Sequence, residues 1–222
     1  MFVVHRRLFR IVLFLGLAVG LAASGGCVGL TAQLLYWVKG GNKIDPEFEG
    51  MKGKRVAVVC VSNASSFGPN TFCSLLERRV SSALREQGDK IDVVPPDDIA
   101  DWIDSNDWNQ MDYREIGRGV NADMVLGLDL TDLRLHEGQT LYQGRVTLTA
   151  TVYDMQDNGK VVFRRTIPDF TFPRNGPRHA TEMTEARFRS LFVEVLSKHV
   201  AKYFCAYDFE EDFAQDARNL AG

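Results

Sequence analysis

Blocks of apolar residues with two different spacings alternate along the chain and predict strands and helices in turn. Residues 55–61 (Arg-Val-Ala-Val-Val-Cys-Val) are apolar at nearly every position, which predicts a central strand covered on both faces. A helix is expected to start at Asn70 or Thr71, because the apolar positions that follow recur at helical spacing until Gly88. Residues 91–94 predict a short second strand, which should be parallel to the first because a helix joins the two.

Three longer strands are predicted in the second half of the chain. In the first of them, apolar residues alternate over 124–130 and then change parity at Leu133. One extra residue near Thr131 and Asp132 would return the apolar side chains to the same face, so a β-bulge is expected there. The regular alternation over 146–153 predicts the next strand.

A hairpin is predicted between this strand and a third over 161–167, because Asn158 and Gly159 accept positive φ in a tight turn. Two short helices, near 97–104 and 112–120, precede the three strands, and a long amphipathic helix over 188–203 follows them. The order β-α-β-α-α-β-β-β-α predicts an α/β (α+β) fold, a mixed sheet of about five strands with helices packed on it.

The amino terminus has the pattern of an export signal. Three Arg residues precede an apolar run, which ends in the small residues 24–26 (Ser-Gly-Gly). Cys27 follows directly, and this arrangement resembles the lipobox of bacterial lipoproteins, although Ser24 stands where that family prefers Leu. The resemblance implies that a signal peptide, 1–26, is removed and that the Cys27 thiol carries acyl chains such as palmitate, which anchor the protein to membrane lipid.

Two alternatives for the amino terminus stay open. Residues 11–38 carry no charge and are long enough to remain as an uncleaved single transmembrane helix. Ordinary secretion without a lipid is the other alternative. All three place the body of the chain outside the cytoplasm, in the bacterial cell envelope and facing the periplasm. The pattern does not distinguish an inner-membrane from an outer-membrane location.

The size and net charge of the chain indicate its domain organisation and limit the classes of partner it could bind. The chain has 222 residues, 45% hydrophobic and 25% charged, which is typical of one globular domain. Without residues 1–26, 23 basic residues remain against 29 acidic ones, a net charge near −6 that argues against a nucleic-acid partner. We expect a membrane-proximal tether at 27–53, an α/β domain at 54–205 and an acidic-aromatic tail at 206–222.

Three cysteines remain beyond Cys27, namely Cys60, Cys73 and Cys205. They are expected to be buried small hydrophobic residues, and a single disulfide is the alternative in an oxidising envelope. No Cys and His spacing fits zinc, so neither a metal nor another cofactor is predicted.

No catalytic residue is predicted, and the protein is not expected to be an enzyme. The sequence lacks a Gly-x-Ser-x-Gly elbow and a Walker phosphate loop. His199 lies on an apolar helix face, where a structural role is expected, and His136 and His179 are expected to be solvated.

The best candidate for a ligand site is the loop that follows the first strand. Ligands of open α/β sheets settle beyond the carboxyl ends of the strands, close to the start of the next helix. A capped connecting loop explains the same residues without any ligand. The candidate ligand-binding residues are Ser62, Asn63, Ser65, Ser66 and Asn70.

Five segments together resemble a group of bacterial envelope proteins: residues 55–59, 71–87, 91–94, 115–127 and 147–163. The group includes the curli-secretion lipoprotein, the lipoprotein that activates penicillin-binding proteins, and the amino-terminal domain of the Tol–Pal translocation protein. The likeness covers about residues 54–170 and lies in element order more than in a motif. It implies a noncatalytic assembly, scaffold or accessory protein that binds an envelope protein partner. An envelope module that binds a small ligand or a peptidoglycan fragment is the alternative.

Overall fold

The computed structural model describes residues 43–62, 69–106, 108 and 112–208, with the backbone alone at 69 and 70. The chain separates into two compact units, residues 1–43 and 44–222, and all of the described residues except Lys43 belong to the second unit. The signal peptide, Cys27 and residues 209–222 of the tail lie outside the described residues.

The predicted element order is confirmed, with three additional two-residue strands. The elements are β1 (Lys43–Ile44), β2 (Arg55–Ser62), α1 (Pro69–Gln87), β3 (Asp92–Val93), α2 (Pro96–Ser105), α3 (Tyr113–Gly119), β4 (Met124–Glu137), β5 (Leu141–Asp154), β6 (Lys160–Phe172), β7 (Arg178–His179), α4 (Glu185–Ala201) and β8 (Tyr207–Asp208). Among the described residues, no helix is long and apolar enough to cross a membrane.

The main sheet is mixed, as predicted, and has six strands within the described residues. Its order is β3-β2-β4-β5-β6, and β7 also pairs with β5. Strand β2 runs parallel to both β3 and β4, whereas β4, β5 and β6 form antiparallel hairpins. Residues 56–60 of β2 are buried, which confirms the predicted central strand. Strands β1 and β8 form a separate two-stranded sheet.

Helices cover one sheet face fully and the other only in part. On the first face, α1 and α4 pack on the alternate residues of β2, β4 and β5, with Phe188 and Phe192 fully buried. On the second face, α2 and α3 cover Ala57, Val59 and Val125. Beyond Tyr153, which stacks on Tyr113 of α3, this face of β5 and β6 displays polar side chains such as Thr149 and Thr166.

The predicted bulge in β4 is confirmed. The register with β5 moves from Thr131↔Thr147 to Arg134↔Arg145, so β4 holds one extra residue, and Asp132 has a φ of 54°. The extra residue returns Leu133 to the buried face.

The turn between β5 and β6 also has the predicted geometry. Asn158 and Gly159 have φ of 53° and 75°, and the Lys160 N–H donates to the Asp157 carbonyl at 3.1 Å. Positive φ at both central residues twists the turn in the same sense as the strands it joins.

Residues 44–53, predicted as the end of the tether, pack against the rest of the domain. The Phe48 N–H donates to the Tyr203 carbonyl at 2.9 Å, and the Phe48 ring lies 5.3 Å from that of Phe163. Met51 is only 1% exposed and belongs to the core under α1 and α4. These ten residues therefore contribute to the stability of the folded unit.

Candidate functional site

The candidate ligand loop begins at the carboxyl end of β2, where β4 runs alongside. Ser62 is the last residue of β2 and pairs with Leu130 of β4. Asn63, Ser65 and Ser66 lie outside the described residues, as does the Asn70 side chain. Helix α1 begins at Pro69, earlier than the predicted Asn70 or Thr71, because proline suits a first turn whose N–H groups lack helical partners.

A carboxyl group closes one side of this strand end. The Glu77 side chain of α1 accepts the Cys60 N–H at 2.6 Å. The N–H and C=O of Cys60 point to the same side of β2 as those of Val56, whose carbonyl accepts from Val94 beside β3. Strand β3 ends at Val93 and does not reach Cys60, so Glu77 takes the N–H that a longer strand would have bonded.

Burial raises the pKa of Glu77 from 4.5 to about 7, against the opposing effects of the Cys60 N–H and the nearby Arg78 charge. A carboxyl group with this pKa changes its charge near neutral pH. Its hydrogen bond to the backbone gives it a structural role, which accounts for its position without any ligand.

Aromatic residues occupy the opposite face of the same strand ends. The Tyr113 hydroxyl of α3 donates to Asp129 Oδ1 of β4 at 2.5 Å, and its ring stacks on Tyr153 at 5.1 Å. Burial and the bond to Asp129 raise the pKa of Tyr113 far above its usual value, so this hydroxyl stays protonated. The Trp108 ring centroid lies 6.4 Å from that of Tyr113.

Gly127 makes room for this aromatic cluster. A Cβ atom on Gly127 would lie 2.9 Å from the Tyr113 ring, closer than real contacts allow. The glycine therefore lets the ring approach the β4 backbone and reach Asp129, two residues further along.

Glu77 and Asp129 are separated by the sheet. Cys60, which Glu77 contacts, belongs to the core under α1 and α4, whereas Tyr113 belongs to the core under α2 and α3. Each carboxyl group already has a protein donor, and the two do not form an acid/base pair across one cleft. Within the described ranges, no three side chains of the metal-ligating kind come together.

The histidines lie apart from this strand end. His199 packs between Phe170 and Tyr203, with ring centroids at 5.4 and 5.9 Å, as expected for a structural residue. His136 is half-buried rather than solvated, because its ring lies 5.2 Å from Tyr142 and its Nε2 atom 3.6 Å from Glu185. His179 is exposed in β7.

A second surface that sequence patterns did not single out as a site is the free edge of β6. Strand β6 ends the sheet order, and no other described strand pairs with its outer side. We define the β6 edge as residues 160–167. Val161 and Val162 are 41% and 39% exposed and, with Ile44, are the large apolar side chains most exposed among the described residues.

Two irregularities in β6 limit the length over which another strand could pair with this edge. The register with β5 moves from Val152↔Phe163 to Tyr153↔Val161, which leaves Val162 as an extra residue. A second extra residue lies near Pro168 and Asp169, where Asp169 has a φ of 45°. Bulges and proline interrupt pairing, so an added strand could pair regularly only before Pro168.

Comparisons with known proteins find similarity in solved structures alone. No protein-family model matches the chain, and no curated protein matches it. The similar structures include the PelC dodecamer of Paraburkholderia phytofirmans, with 21% identity over 70% of this chain and 93% of that one (TM-score 0.40). A lipoprotein of Neisseria meningitidis has 13% identity over 66% and 97% of the two chains (TM-score 0.44). A minor lipoprotein of Acinetobacter baumannii has 10% identity over 69% and 92% (TM-score 0.33).

Proposed function

We propose that this protein is a lipid-anchored bacterial envelope protein that binds another envelope protein and performs no chemistry. The anchor is Cys27, whose sequence context resembles a lipobox. The observation that carries the binding role is the β6 edge, where two exposed Val side chains flank backbone groups that no described strand pairs with.

The chemistry of the β6 edge suits a protein partner. Unpaired N–H and C=O groups at a sheet edge can bond an added strand, and alternate side chains then supply specificity. Val161 and Val162 would add apolar burial, and the neighbouring Arg164 would favour an acidic or polar segment, whereas Arg165 already pairs with Glu47 at 3.4 Å. The second bulge and Pro168 limit the partner to a short strand.

Site-specific photo-crosslinking tests the binding role. A photoreactive residue at Val162 is introduced into the full chain, which is expressed with its own leader in bacterial cells. We expect one discrete adduct with another envelope protein, and the same adduct from Val161. The control position is Arg85, which is exposed on α1 and remote in sequence from β6.

Two results would contradict the proposal. Crosslinking at Val162 that is no stronger than at Arg85 would remove the β6 edge as a contact surface. An adduct that contains only a second copy of this chain would assign the edge to self-association instead.

The finer predictions remain predictions. Kinship with the curli-secretion, penicillin-binding-protein activator and Tol–Pal group would place the partner in an envelope assembly. The alternative, a module that binds a small ligand or a peptidoglycan fragment, depends on residues 63–68, which lie outside the described residues. A rise in melting temperature with soluble peptidoglycan fragments would favour it.

A further inference from the structure

Two thiols meet at the carboxyl end of β2. Cys60 in β2 and Cys73 near the start of α1 have their Sγ atoms 3.0 Å apart, and the residues are 9% and 6% exposed. A disulfide has an S–S distance of about 2.05 Å, so closing the bond requires an approach of about 1 Å. Both side chains belong to the same core cluster, which holds them in contact.

Cys205 is too distant to compete for either partner. Its Sγ atom lies 3.9 Å from the carbonyl of Ala83, near the far end of α1. Ala83 follows Cys73 by ten residues, which is about 15 Å along a helix axis. If Cys27 carries lipid, the only pair left within bonding reach is Cys60 with Cys73, and Cys205 stays a thiol.

We propose that Cys60 and Cys73 form a disulfide bond in the exported protein. The bond closes the segment between two positions thirteen residues apart and ties the start of α1 to the end of β2. It therefore fixes both ends of the 63–68 segment, which carries most of the candidate ligand residues. The bond does not depend on the proposed protein partner.

The bond forms by thiol–disulfide exchange with a disulfide donor of the envelope, either a protein or a small molecule. One cysteine thiolate attacks the donor, breaks its S–S bond and forms a mixed disulfide. The second thiolate attacks the mixed disulfide, which forms the Cys60–Cys73 bond and leaves the donor reduced, as a dithiol if its two sulfurs share one molecule and as two separate thiols if they do not. The two cysteines lose two protons and two electrons, and the donor is reduced.

The surroundings indicate when the exchange takes place. Burial raises the pKa of Cys60 well above its usual value, and the nearby Cys73, Glu77 and Asp129 raise it further. A thiol that stays protonated exchanges slowly. The bond is therefore expected to form during folding, before α1 covers β2, and to be shielded from reductants afterwards.

Mass spectrometry of the wild-type protein tests the proposal. The full chain is expressed with its own leader in a bacterial host, extracted from membranes, and unfolded in denaturant with iodoacetamide. We expect alkylation at Cys205 and none at Cys60 or Cys73. Trypsin leaves Cys60 and Cys73 on one peptide, 56–78, which should be lighter by two hydrogens than the same peptide with two free thiols. Further cleavage after Phe67 or Phe72 should give two chains that separate only on reduction.

Matched variants give a second measurement. In Cys73→Ala, Cys60 should become alkylated, whereas Cys205→Ala should leave the bridged peptide unchanged. Reduction should lower the melting temperature of the wild type by roughly 6–12 °C, the shift for a loop of this length in a domain of this size. The double variant Cys60→Ala/Cys73→Ala should show no such response to reduction. Full alkylation of Cys60 and Cys73 in the wild type, or a bridge to Cys205, would overturn the proposal.

Discussion

Replacing Glu77 with Gln should raise the stability of the protein above pH 7 and reduce its dependence on pH. The carboxyl has a pKa of about 7 in the folded protein and 4.5 as the reference value for an exposed group. Below pH 4.5 both the folded and the unfolded states hold the proton, so this group adds no difference. Between pH 4.5 and 7 the unfolded state releases its proton first, and the free energy of unfolding falls as the pH rises.

The size of the effect follows from the two pKa values. One pKa unit corresponds to about 1.4 kcal/mol, so the loss above pH 7 approaches about 3 kcal/mol. Gln has the same shape and keeps an oxygen acceptor for the Cys60 N–H, whose bond is 2.6 Å long. Gln cannot ionise, so at pH 8 the variant avoids the free-energy cost of a buried carboxylate. At pH 4.5, where the folded wild type holds the proton, the two proteins differ only by the exchange of one neutral side chain for another.

The assay is urea unfolding of the purified protein at pH values from 4.5 to 8, with the redox state held constant. The control is Glu86→Gln, an exposed position on the same helix whose carboxyl accepts a hydrogen bond from the nearby Ser82. We expect the control to follow the wild type across this range. An unchanged pH slope in Glu77→Gln, or lower stability than the wild type at pH 8, would refute this account of Glu77.

Two further predictions concern the anchor and the aromatic cluster. For Cys27→Ala, intact-mass analysis should find the unprocessed chain, or the protein should no longer be found in the membrane. Normal processing together with retention in the membrane would contradict lipid attachment. Gly127→Ala should destabilise the protein by about 1–3 kcal/mol, because the new Cβ would lie 2.9 Å from the Tyr113 ring. Denaturant unfolding measures this loss, and an unchanged midpoint would show that the ring shifts freely.

The sequence by itself determined the features that depend on neighbouring residues. The apolar run at 55–61 indicated a strand buried on both faces, because a strand with one solvated face alternates. The parity change after Leu130 located the bulge at Thr131 and Asp132, since a one-residue slip would otherwise expose Leu133. Asn158 and Gly159 indicated their own turn, because few residues accept positive φ.

Some lengths and ends departed from the local pattern. Strand β6 continues to Phe172, five residues beyond the predicted end, and a second bulge near Pro168 and Asp169 keeps it on β5. The pairing partner decides such an extension, because Pro168 taken alone argues against a strand, whereas pairing with β5 keeps the chain extended past it.

Only the tertiary structure placed the chemistry at the carboxyl end of β2. The sequence shows Glu77 as one charged residue of an amphipathic helix and Asp129 as one polar position of a strand. Glu77 has a raised pKa because α1 packs over β2 and because β3 stops before Cys60. Asp129 meets Tyr113 because α3 crosses β4 where Gly127 leaves space. Burial and hydrogen-bond partners come from elements far apart in the chain, and periodicity within one element carries no information about them.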